Sequence, residues 1–303
     1  MPLTQAQLEL RRKGITATDV SALVGLSPYK SALEVYADKT GQSKPIEENE
    51  AMRWGNVLEP IIAQRYADEN EIAIWQPQKT VEKEDTAWML CTPDALTKTL
   101  CVHAQPELCG QNTAFVVTGD GYGVEVKTAG SAQQVARWGK AGDDVPEEYI
   151  IQCQWSMAVC NVARWDMAVL LAGYHGFEYR QYTLERNDKL IGILKDRACV
   201  FLENVRKGIK PKPDGSQSAR RAFDALYSRD DGTDMPPTAE MRDLAVELRA
   251  ADKDLKDAQG EREALQQQFK ALLGESQGVR DFGWKVTWRA DKRGKRIFRT
   301  HFS

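Results

Sequence analysis

No stretch of the chain approaches the roughly 18 uninterrupted apolar residues that a membrane helix requires, and the opening MPLTQAQLELRRKG lacks the apolar run of a secretion signal. A cytoplasmic protein without membrane association is the expectation. Histidine is scarce: His103, His175 and His301 form no usable cluster, so a histidine-based mechanism has no support. The six cysteines, at 91, 101, 109, 153, 160 and 199, include no Cys-x-x-Cys pair and have no companion histidines at zinc spacing. Only Cys153 and Cys160 share an expected helix, so reduced thiols are expected rather than a structural zinc or an iron–sulfur cluster. Net positive charge is lacking too, at −3 overall. The average hides an asymmetry: residues 280–303 carry eight Lys/Arg and two Asp, or +6, which leaves −9 for the remainder. Any contact with nucleic acid must therefore be local, through a basic face or channel.

What is present is enough for a sizeable core, with 303 residues of which 42% are hydrophobic. Short capped helices open the chain, with Thr18 before DVSALVG and Ser31 before ALEVYADKTG as caps. Met52, Trp54, Leu58, Ile61, Ile62 and Tyr66 recur at helical spacing across 48–70. Strands are expected at 72–76, 87–91, 115–118 and 123–127, then a helix over 146–161, strands at 165–171 and 177–184, and a helix over 187–208. The pattern is mixed α/β. GIKPKPDGSQS and RDDGTDMPP flank a short helical piece, giving a core over 1–208, a linker with a short helix over 209–237, and an extension over 238–303. In that extension Met241, Leu244, Leu248, Ala251, Leu255, Ala258, Leu265, Phe269 and Leu272 keep a three-four spacing interrupted at Arg262. A basic, aromatic β-hairpin turning at Arg293-Gly294 ends the chain. Its cations read equally as a DNA contact and as one side of a half-exposed sheet.

Two segments carry chemistry: CTPDAL at 91–96 and GVEVKTA at 123–129. Residues two apart on a strand share a face, so Glu125 and Lys127 project together while Val124 and Val126 pack the other way. Phosphodiester hydrolysis needs an activated water and a neutralised leaving oxygen, and Mg²⁺ serves both through one or two carboxylates, waters and substrate phosphate. Asp94 and Glu125 are the natural ligands, Glu59 can complete a second metal position, and Lys127 can hold or deprotonate the water. Taken alone these motifs are short, and a turn carboxylate plus an ion-paired strand face is the commoner meaning of such residues.

Five patches in order alter that balance: RRKGITATDVSALVGLSPYKSALEVYADKTG, RWGNVLEPIIAQRY, CTPDAL, GVEVKTA and VPEEYIIQCQWSMAV. Across about residues 11–184 the chain resembles the lambda-exonuclease/YqaJ-type family of phage recombination nucleases, a branch of the PD-(D/E)XK superfamily. The resemblance implies a restriction-endonuclease-like fold, a mixed central sheet flanked by helices, here with the C-terminal helical and hairpin extension. It implies catalytic roles for Glu59, Asp94, Glu125, Lys127 and Gln152, with Mg²⁺, or Mn²⁺ in its place, on Asp94, Glu125 and Glu59. It also implies a 5′-phosphate site made by Arg11 or Arg12 together with Thr18. Gln152 and Gln154 lie two apart on one helix, so only one can reach the site. The connection over residues 97–122 is longer than in compact relatives and is expected to form an extended hairpin.

The activity implied is 5′→3′ degradation of one strand from a 5′-phosphorylated duplex end, leaving 3′ overhangs for phage-type single-strand annealing in a bacterial host. A toroidal homotrimer on double-stranded DNA and a single-strand annealing protein are the implied partners. A structure- or sequence-selective endonuclease and a non-catalytic DNA-binding scaffold are the competing readings.

Overall fold

Alternation along GVEVKTA organises the centre of the fold. Val124 and Val126 pack with Ile62, Ala63 and Tyr66 on one face, and the intervening Glu125 is buried on the other. The computed structural model describes residues 5–43, 48–105, 114–140, 144–173 and 176–302, in two units, Met1–Arg229 and Asp230–Ser303.

In the first unit α1 (Gln5–Lys13) leads through β1 (Ile15–Thr16) into α2 (Ala17–Leu23), α3 (Ala32–Lys39) and α4 (Glu50–Glu69). Strands β2 (Ile74–Trp75), β3 (Val81–Lys83), β4 (Thr86–Cys91), β5 (Ala95–Thr97), β6 (Cys101–Gln105), β7 (Ala114–Thr118) and β8 (Gly123–Ala129) follow. The unit continues with α5 (Ala132–Val135), α6 (Glu147–Cys160), β9 (Arg164–Gly173), β10 (Gly176–Glu185), α7 (Asp188–Arg206) and α8 (Gln217–Leu226). The mixed α/β class read from the pattern is the class observed.

The main sheet has the order β10-β9-β8-β5-β2, with β8 and β9 parallel and the other neighbours antiparallel. A smaller sheet has the order β1-β4-β3. Helix α4 covers one face of the main sheet, packing on Ala95, Val124, Val126 and Ala168. The opposite face carries Met167, Val169 and Leu171 in a cluster with Ile151 and Trp155 of α6 and Leu194 and Phe201 of α7. Each such buried side chain contributes about 1.5–3 kcal/mol by leaving water. Gly123 lies opposite Trp165 in register, and a Cβ there would stand 2.3 Å from the indole ring. Only glycine lets that ring lie across β8.

Several expectations are refined by the structure. The cap of α2 is Thr16 and not Thr18: Thr16 Oγ1 accepts the Asp19 amide while the Asp19 carboxylate accepts the Thr16 amide, a reciprocal capping box. The segment 209–237 is more than a linker. Helix α8 buries Ala219 and Ala222 against Leu33 and Ala37 of α3, so the first unit runs on to Arg229. The extended hairpin of the 97–122 connection is the antiparallel pair β6/β7. Its residues 106–113, Cys109 among them, lie outside the described residues, as does His175. Cys91, Cys101, Cys153, Cys160 and Cys199 are free thiols. Among the described residues no helix is long and apolar enough to cross a membrane.

The second unit holds α9 (Ala239–Leu273) and the antiparallel sheet β11 (Gly278–Asp281), β12 (Trp284–Ala290) and β13 (Arg296–Phe302). The expected hairpin is β12/β13, and β11 adds a third strand. Leu273 and Val286 are its buried residues, and Phe269 meets Trp284 and Phe298 edge-on or tilted. Met241, Leu244, Leu248, Leu255, Leu265 and Leu272 of the three-four stripe are exposed.

Candidate active site

The site forms where one strand outlasts its neighbour. Strand β5 pairs with β8 only at Ala95↔Val124 and Leu96↔Gly123. One residue before β5 begins, the side chain of Asp94 takes over, its Oδ2 accepting the Val126 amide at 2.8 Å. A carboxylate is thereby fixed against the backbone of the next strand, at the edge of its unpaired stretch. Glu125, on the same strand, accepts the Lys127 ammonium on Oε1. Gln152, from α6, donates Nε2 to the same oxygen. Among the described residues no hydrogen bond falls on Oε2 of Glu125.

Burial and like charge act together on these groups. Burial first, then the Asp94 and Glu59 charges, push the Glu125 carboxyl up to about 7, although the Lys127 ammonium pulls the other way. Burial raises Asp94 against the opposing pull of Lys127 and of the Val126 hydrogen bond. Burial and the Asp94 charge raise Glu59, which is half-buried on α4. Lys127 goes up as well: burial opposes its charge, but Glu125 and Asp94 outweigh that. The Asp94 charge disfavours ionisation of both Glu125 and Glu59, and carboxylate oxygens in that relation suit a hard cation with oxygen preference. Among the described residues no three His, Cys, Asp or Glu side chains close into a metal cage. One or two carboxylates completed by waters is the coordination that Mg²⁺ takes, and Asp94 and Glu125 are the two carboxylates here that could offer it.

Beside these carboxylates lies a cationic, hydroxyl-lined corner. Arg11, in the last turn of α1, reaches Thr18 Oγ1 at 3.2 Å with one guanidinium nitrogen and Thr92 Oγ1 at 3.3 Å with the other. Thr92 is two residues before Asp94, which ties the corner to the carboxylate site. Buried Asp19 holds it in place, receiving Lys39 at 2.6 Å and Lys30 at 3.0 Å. Lys39 also donates to the Arg11 carbonyl at 2.6 Å. Burial alone would raise the Asp19 carboxyl, but Lys30, Lys39 and Arg11 hold it well below the usual carboxylate range.

Hydrogen bonds join Lys127 and Gln152 to Glu125 and hold Asp94 against Val126 of the same strand, while Glu59 is linked to them through charge alone; Arg11 is joined to Thr18. Arg12 is exposed and reaches neither group. Gln154 is committed elsewhere, donating to the Glu185 carbonyl and accepting the Asn187 amide. Two contributors escape the sequence reading. Thr92 stands in the quoted CTPD segment two positions from Asp94. Tyr149 stands one helical turn before Gln152, with the Lys127 ammonium 5.2 Å from its ring centroid.

Over 285 residues the chain is 27% identical to an uncharacterised protein, YqaJ, of Bacillus subtilis strain 168, covering 92% of this chain and 81% of that one. Among solved structures, an alkaline exonuclease from Laribacter hongkongensis, LHK-Exo, superposes with a TM-score of 0.48 at 19% identity, over 68% of this chain and 94% of the other. A phage-related exonuclease from Haemophilus somnus 129PT gives 0.45 at 11% identity, over 67% and 97%. The family model described as the YqaJ-like viral recombinase domain matches residues 7–163, just over half the chain and the span that contains every site residue from Arg11 to Gln152. This chain belongs to the YqaJ-like viral recombinase domain family.

Proposed function

We propose that the chain is a Mg²⁺-dependent double-stranded DNA exonuclease that starts at a 5′-phosphorylated end, proceeds 5′→3′ and leaves 3′ overhangs. The observation that carries this reading is the meeting of Lys127 and Gln152 on one oxygen of a buried Glu125, next to Asp94 and to the Arg11–Thr18–Thr92 corner. A divalent cation held by Asp94 and Glu125, with Glu59 in support, would supply the Lewis acid for water and phosphate. The chain's own residues do the rest. Lys127 orients the attacking water and counters charge on the phosphate. Gln152 fixes the rotamer of Glu125, and the Val126 amide fixes Asp94. Arg11 with the Thr18 and Thr92 hydroxyls offers a terminal phosphate one charged and two neutral hydrogen-bond partners, which sets where the strand end stops.

The same reading includes a homotrimeric ring threaded by the duplex and a single-strand annealing protein that takes up the overhang. Digestion of end-labelled linear duplex, with and without 5′ phosphate, in Mg²⁺ and in EDTA, tests it directly. Loss of label from the phosphorylated 5′ end in Mg²⁺ alone, with closed circles intact, is the expected result. Cleavage of closed circles would replace it with an endonuclease.

A further inference from the structure

We propose that the outer face of the C-terminal sheet is a second DNA-binding surface, a contact for the phosphate backbone of duplex DNA. The argument starts from alternation. On β12 and β13 the residues Trp284, Trp288, Phe298 and Phe302 share a face, as the registers Trp284↔Phe302 and Trp288↔Phe298 require. Phe269 of α9 covers Trp284 and Phe298 on that side. Arg296 belongs to the same side and is spent structurally: it lies 3.7 Å over the Trp288 ring and donates to the carbonyls of Gly274 and Ser276.

The opposite face is built otherwise. It carries Arg280 from β11, Lys285, Thr287 and Arg289 from β12, and Ile297, Arg299 and His301 from β13. No carboxylate occurs among these strand positions. Arg280 is the direct register partner of Lys285, which is in turn the partner of His301. Arg280, Arg289 and Arg299 are exposed and Lys285 is half-exposed. Among the described residues none of the four makes an ion pair, a side-chain hydrogen bond or a ring contact. Four uncompensated cations thus occupy an area of about 14 Å by 10 Å across three strands. Arg280 and Lys285 are like charges directly across strands, which destabilises a sheet, and Arg289 and Arg299 have no charged cross-strand partner, so no contact within the sheet accounts for the four. An anionic surface would.

The character of the face selects among polyanions. Platforms for single strands present aromatic rings on which bases stack, and here the strand aromatics lie on the other side. Cationic and nearly free of apolar side chains, the face suits sequence-independent phosphate contacts along a duplex.

The test is equilibrium binding of the full chain in EDTA to a labelled blunt duplex across a salt series. The variant combines Arg280→Gln, Lys285→Gln, Arg289→Gln and Arg299→Gln, and a second variant keeps the charge with Arg280→Lys, Arg289→Lys and Arg299→Lys. The Gln variant should lose on the order of tenfold or more in duplex affinity, and its log affinity against log salt should flatten by about 3–4. The Lys variant should match the parent. Thermal midpoints should be unchanged or higher in the Gln variant, because only repulsion is removed. Unchanged affinity and slope would overturn the proposal, as would a lowered midpoint. So would a loss confined to a single strand of equal length, or to phosphatidylglycerol vesicles. Cleavage plays no part in the readout, so the nuclease reading and this one can fail separately.

Discussion

Gln152 donates its side-chain amide to Glu125 Oε1, the oxygen that also accepts the Lys127 ammonium. One oxygen of the carboxylate is thereby held from two elements, a strand and a helix. Loss of each partner should have a different size. Lys127→Ala should lower the cleavage rate by about 10²–10⁴-fold, the range for a group that handles the reacting water, with duplex binding retained. Gln152→Ala should lower it by about 10–100-fold, the range for a residue that orients a metal ligand. Unaltered degradation in Lys127→Ala would remove the assignment altogether.

Choice of strand end should rest on Arg11 and not on Arg12. Charge-assisted hydrogen bonds contribute about 1.5–3 kcal/mol, or roughly 10–100-fold. In Arg11→Ala the rate ratio between 5′-phosphorylated and 5′-hydroxyl duplexes should collapse by that factor, with Thr18→Val and Thr92→Val giving smaller losses. Arg12→Ala, which alters an exposed side chain, should keep the parent ratio. A preference abolished by Arg12→Ala and left intact by Arg11→Ala would reverse the assignment.

The raised carboxyls also predict how stability varies with pH. Glu125 is moved from an ordinary 4.5 to about 7, by burial first and then by Asp94, and Asp94 and Glu59 move the same way. A carboxyl that holds its proton more tightly when folded favours the folded state at low pH, and that contribution disappears as pH rises through the folded value. In EDTA the thermal midpoint of the parent should therefore fall relative to Glu125→Gln between about pH 5 and about pH 8. Adding Mg²⁺ at the upper pH should raise the parent and leave Glu125→Gln nearly unchanged. A pH-independent gap between the two proteins would show that the Glu125 carboxyl is not raised.

How much of this is legible without coordinates depends on whether the signal is local. The alternation in GVEVKTA puts Glu125 and Lys127 on one face because a strand's period is two residues, whatever surrounds it. The three-four spacing over 241–272 gives a long helix for the same kind of reason. The partner of the Ala219/Ala222 stripe is not legible, because ten residues between Pro/Gly-rich segments say nothing about what they meet. In TAT at 16–18 either threonine can cap, and only the Asp19 reciprocal bond decides for Thr16. Thr92 enters the site only once Arg11 is brought there from 81 residues away, a relation no short motif encodes.

Asp19 ties the opening helices to the Arg11–Thr18–Thr92 corner, and its replacement should reveal that coupling. Its carboxylate accepts the Thr16 amide, Lys30 and Lys39, and Lys39 in turn holds the Arg11 carbonyl. Asp19→Asn keeps the shape but leaves a buried ammonium on Lys39 without its countercharge. Breaking a buried pair from one side costs about 3–5 kcal/mol, so a clear fall in the unfolding midpoint is expected. Because Asp19 is held well below the usual range, its stabilisation is present above the ordinary Asp value and is lost as pH falls through the lowered one. The midpoint gap between parent and Asp19→Asn should therefore persist at neutral pH and narrow only in strong acid. At temperatures where Asp19→Asn remains folded, its preference for 5′-phosphorylated ends should still weaken, since Arg11 has lost the brace on its own backbone. A variant that is destabilised yet discriminates 5′ ends like the parent would confine Asp19 to folding.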